Sequence, residues 1–168
     1  MAVTMAQALA ERIKYQIAAG QKVFDAAGEH HGAVFGSPED VLTVRGNVSD
    51  VAVTNHLWLL DAVAAGTVKG SLPPALDRPR PTSVDAAVEF LAHRETDSAA
   101  QAAKRLNEVN SAIAAMVAGL SDAELDKTVD VTFYGPKSLR DLLFIIIEHG
   151  SLHLGQAWGI LKGKGIAS

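Results

Sequence analysis

The 168-residue chain contains no cysteine. Disulfides, thiolate metal sites, iron–sulfur clusters and a cysteine nucleophile are therefore excluded, and any sulfur nucleophile must come from a small molecule. Long apolar runs are also missing. No purely apolar stretch exceeds the seven residues of Ala112 to Ala118, and Leu142 to Ile147 is six, far short of the roughly 20 residues of a membrane-spanning helix, so no membrane partner is expected. Nor is there an excess of cations: 15 Lys and Arg stand against 19 Asp and Glu, a formal charge of −4. A pI near 5.8 offers no counter-charge to a phosphate backbone, and nucleic acid is not an expected partner. Glu11, Arg12 and Lys14 interrupt the first apolar stretch, which argues against a secretory signal. A cytoplasmic location suits a chain without Cys.

What the chain does contain is 48% apolar residues and 28 alanines. Alanine is the strongest helix former, so an all-α fold is expected, in a single domain over residues 1–168. A chain this long buries roughly 70% of its unfolded surface and needs no staple to fold. A bound metal would accordingly serve function.

Four long helices are predicted. The first runs from Thr4 to Ala27, with Met5, Leu9, Ile13, Ile17 and Phe24 at helical spacing and Gly28 as its stop. Residues 29 to 46 read as a loop, with room for one turn after Ser37. Asn47 and Asp50 resemble a capping pair for a second helix, Val48 to Ala65, with Ala52, Asn55, His56, Leu59 and Val63 along one face. Pro73, Pro74, Pro79 and Pro81 forbid a helix between Gly66 and Pro81 and make a long crossover. A third helix is expected from Thr82 to Gly119. Ser121 and Glu124 form a capping box for a short turn, and alternation over Val129 to Tyr134 is strand-like but too short to build a sheet. Ser138 with Asp141 opens the fourth helix, which closes near Leu161 with Lys162 and Gly163. Four such helices imply a four-helix bundle.

The chemistry concentrates on the fourth helix, where Leu142, Ile145, His149, Leu152, His153, Gln156 and Ile160 form one stripe. Two imidazoles at i and i+4 can share one metal ion. His56 lies on the inward face of the second helix, and three buried imidazoles on facing helices are costly unless something binds them.

With Thr54 to Trp58 around His56, and the segment Glu148 to Gln156 reading HxxxHxGQ from His149, the chain resembles the DinB/YfiT-like superfamily of metal-binding four-helix bundles. That superfamily includes thiol-dependent transferases and the mycothiol-dependent maleylpyruvate isomerase domain. The resemblance implies that His56, His149 and His153 hold one divalent ion, zinc or nickel. It further implies a low-molecular-weight thiol cosubstrate, a small-molecule substrate and a homodimer. Three neutral imidazoles would leave the ion its full charge and an open position, as in catalytic sites, so that a bound water or thiol is acidified. Gln156 is expected to support a metal-bound histidine or cofactor.

The preferred function is therefore a metal-dependent enzyme activating a thiol for transfer or isomerisation. The alternatives are a metal-dependent hydrolase using hydroxide and a non-enzymatic metal-binding, stress-associated protein. Other polar residues have plainer readings. Glu148 is rotated about 100° from His149 and reads as a solvated carboxylate. His93 pairs with Glu89 on the surface, His30 and His31 sit in a Gly-rich loop, and Trp58 and Trp158 read as packing residues. The run Gly159 to Lys164 ends a helix rather than opening one and is not a phosphate loop.

Overall fold

In the computed structural model, the described residues are 2–33, 42–92 and 97–167. They form six helices and one hairpin: α1 Met5–Ala27, α2 Val44–Ala64, α3 Val84–Leu91, α4 Ala99–Val117, α5 Asp122–Leu125, β1 Thr128–Val131, β2 Gly135–Ser138 and α6 Leu139–Gly163. Helices α1, α2, α4 and α6 make an all-α bundle in which α1 packs on α4 and α6, and α2 packs on the same two. Helices α1 and α2 thus stand diagonally opposite, and the candidate site lies where α2 faces α6. No helix among the described residues is long and apolar enough to cross a membrane.

Local signals explain most helix ends. Thr4 caps α1 in a box with Gln7, and Gly28 closes it at φ 53, a left-handed conformation that glycine adopts without strain. Ser121 and Glu124 box α5, and Ser138 caps α6 by accepting from the Asp141 N–H. Two expectations shift. The second helix starts at Val44 on a Thr43 cap rather than at Val48 on Asn47, because Asn47 turns its side-chain amide back to the carbonyls of Leu42 and Thr43. Among the described residues the long third segment holds two helices, α3 and α4, and a capping box of Ser98 with Gln101 starts the second. Strand-like alternation over Val129 to Tyr134 becomes the two-stranded antiparallel hairpin, with Thr128 opposite Ser138 and Val131 opposite Gly135. The turn expected after Ser37 lies outside the described residues.

Two apolar clusters fill the bundle. One gathers Leu9, Ile13, Trp58, Ile113, Leu139 and Ile146; the other gathers Phe24, Val48, Val51, Leu106, Leu154 and Ile160. Between them one polar residue from each of three helices forms a buried layer. Asn55 on α2 donates to Asn110 Oδ1 on α4 (2.9 Å), and Asn110 donates to Gln16 Oε1 on α1 (2.9 Å) and to the Ile13 carbonyl (3.1 Å). Gln16 in turn donates to the Ile146 carbonyl of α6 at 3.0 Å. The network reaches all four long helices, and its polar groups can be satisfied only when they pack in this register.

Candidate functional site

Helix α2 is buried over almost its whole circumference, from Val44 to Ala62. A helix in that position gives its polar residues no solvent, so each must find a partner. Asn55 joins the polar layer, and Asp61 accepts from the Thr132 backbone N–H at 2.7 Å and pairs with Arg80. Asp50 meets the histidines.

The Nε2 atoms of His149 and His153 each lie 3.2 Å from Asp50 Oδ2, and one ligand atom from each of these three residues falls within 4.8 Å of the others. The imidazoles sit one turn apart on α6 with ring centroids 4.5 Å apart. Asp50 is 3% exposed, while both histidine side chains keep 17% of their surface open. His153 Nδ1 is 3.0 Å from Asn47 Oδ1. The amide oxygen can only accept, so His153 donates from Nδ1 and turns Nε2 to the carboxylate. A ring nitrogen this close to a carboxylate oxygen calls for a cation or a proton between them. His149 Nδ1 is buried without a hydrogen-bond partner. Two imidazoles and one carboxylate form a donor set found in catalytic zinc sites, and the residues present therefore fit a divalent ion.

The predicted ligands are only partly brought together. His149 and His153 converge, but His56 does not join them. Its Nε2 lies 2.9 Å from the Leu76 carbonyl, and its ring meets Phe90 edge-on at 5.3 Å. Asp50 and His56 are six residues apart, a rotation of about 240° along α2, so only one of them can face α6. Burial pushes the His56 pKa below its ordinary value, an effect the Leu76 hydrogen bond opposes and Arg105 and Arg78 reinforce. Gln156 is exposed, and the position it was expected to hold beside His153 is taken by Asn47. Asp50 and Asn47 resemble a helix-capping pair in sequence. The signal for their other role is that two polar residues, three apart, precede the buried run Val51 to Val53.

One side of the site is aromatic. The Trp58 ring is 5.2 Å from His149 and 5.8 Å from Tyr134, edge-on to both. Glu148 is exposed, as its rotation predicts. His30 is exposed, while His31 is half-buried with its ring edge-on to Phe24 at 5.4 Å; His93 lies outside the described residues. A groove of about 500 Å³ between α1 and α6 is lined by Tyr15, Leu154, Gly155 and Trp158 and by none of the three donors. It lies on another side of α6 from the histidines and has no part in the site.

No curated protein and no solved structure matches the chain. A family model does, that of the DinB superfamily, over residues 36–157. This span includes α2, with Asn47 and Asp50, and α6 as far as Ala157. A match over most of the chain, a helical bundle with a long crossover, and a candidate metal-binding triad between α2 and α6 agree, and the chain belongs to the DinB superfamily.

Proposed function

We propose that the protein holds one divalent ion through Asp50, His149 and His153 and uses it as a metal-dependent enzyme that activates a low-molecular-weight thiol for transfer or isomerisation. The observation that carries the metal reading is the convergence of the two Nε2 atoms on Asp50 Oδ2. A divalent ion supplies Lewis acidity, lowering the pKa of a thiol or water that reaches it. The chain's own residues do the rest. Asn47 fixes the His153 tautomer and ring, as the partners of metal-bound histidines generally do. Asp50, buried and anionic, offsets part of the cation's charge, and the exposed edges of His149 and His153 leave a way in for a small molecule. Because the chain has no Cys, the sulfur comes from the cosubstrate. Zinc or nickel is the expected ion, and two histidines with one carboxylate also suit ferrous iron.

Elemental analysis tests the site. About one ion per chain is expected in the wild type and in His56→Ala, and less than a tenth of that in Asp50→Ala, His149→Ala and His153→Ala. Full occupancy in the Asp50 and His149 variants would overturn the triad. Assay of the loaded protein with electrophilic acceptors, with and without glutathione, bacillithiol or mycothiol, tests the chemistry. Turnover of esters or amides with no thiol present would replace the thiol reading with a hydroxide-based hydrolase.

A further inference from the structure

The hairpin has no part in the donor set, yet it is fastened to α2, the helix that carries Asp50, beside Trp58. Asp61 accepts from both the N–H and the hydroxyl of Thr132, at 2.7 and 3.0 Å, and Arg80 ties Asp61 to the Asp130 carbonyl. The Trp58 indole N–H donates to the Thr132 carbonyl at 3.4 Å. After Thr132 the chain passes through Phe133 at φ 72, the one non-glycine residue with a left-handed backbone among the described residues, and Tyr134 then lies against Trp58. An aromatic residue in that conformation is strained, and here the strained turn sets the Tyr134 ring against Trp58, whose other neighbour is His149. Tyr134 and Phe133 each remain 50% exposed, so the bundle does not use their surface. The Trp58 ring touches both Tyr134 and His149 and so links the hairpin to the histidine pair.

We infer that Tyr134 is a specificity-determining residue: its exposed ring, backed by Trp58, receives the aromatic body of a small molecule whose head group binds the ion held by Asp50, His149 and His153. The inference rests on the metal reading. The substrate class it names is a metal-binding head, such as a thiolate or a hydroxamate, joined to an aromatic or similarly flat apolar body. Edge-to-face or offset stacking on Tyr134 then adds to the affinity of the head group. A molecule with the same head and no ring gains nothing from the hairpin.

The test uses the zinc-loaded full chain and two hydroxamates, titrated calorimetrically, so that neither activity nor thiol chemistry enters. Benzohydroxamate is expected to bind about tenfold more tightly than acetohydroxamate, after correction for their ratio toward free zinc. Tyr134→Ala should reduce that preference to about twofold or less, and Tyr134→Phe should restore it, with zinc affinity by chelator competition unchanged in both. A preference that survives in Tyr134→Ala would overturn the inference, as would equal binding of the two hydroxamates or binding of neither. In each of these cases zinc is still bound and the metal reading stands. Failure of the wild type to bind zinc would overturn both.

Discussion

Asn47 shows how much a single amide can decide. Its Nδ2 is spent on the carbonyls of Leu42 and Thr43, which leaves Oδ1 no choice but to accept from His153. Asn47→Ala is expected to leave the stoichiometry at one ion while weakening metal affinity ten- to hundredfold, measurable by chelator competition. His56 makes a different prediction. With its pKa lowered by burial, the folded protein resists protonation that the unfolded chain accepts. Between the lowered folded value and the ordinary 6.5 the unfolded state therefore binds more protons, and stability rises with pH. The contribution is intact above about 6.5 and is lost as pH falls below it. Denaturant unfolding of the wild type and His56→Phe at a series of pH values should show a shallower decline on the acid side for the variant.

Among the elements, α6 carries both the histidines and a packing device. Gly150, next to His149, leaves room for the Gln16 side chain, and a Cβ there would collide with the Gln16 amide. That amide is fixed by Ile146, Asn55 and Asn110, so it cannot move aside without breaking the buried layer. Gly150→Ala is expected to destabilise the protein by about 1–3 kcal/mol, despite the higher helix propensity of alanine. Urea unfolding measures this directly. The same glycine lets α6 approach α1 while its neighbouring face turns His149 toward α2. The hairpin is the other element with a defined task. Its outer end is held by Asp61, buried in α2 and paired with a partly exposed Arg80, so the hairpin is tied to the helix that supplies Asp50.

At the scale of the whole molecule, two apolar clusters and a polar layer fill the bundle, and a chain of this length can fold on such a core. Chelation is therefore expected to lower the unfolding free energy by the lost binding free energy, and with it the melting temperature, and to leave the helical circular dichroism unchanged. Collapse of the helical signal on chelation would contradict this.

The helical bundle, the caps at Ser121 and Ser138, and the histidine pair on the last helix follow from the sequence alone, because capping and i, i+4 spacing are local. The identity of the third donor does not. Periodicity places Asp50 and His56 on one helix, but which of them meets α6 depends on how α2 is rotated in the bundle. That rotation is fixed by partners distant in sequence: Gln16 and Asn110 on Asn55, Leu76 on His56, and Thr132 on Asp61. The hairpin escaped for the same reason, since four-residue strands gain their stability from packing on α2 rather than from their own pattern. Sequence thus determined the helical bundle and where the histidine pair lies, whereas tertiary packing decided which carboxylate, which amide and which aromatic ring stand beside it.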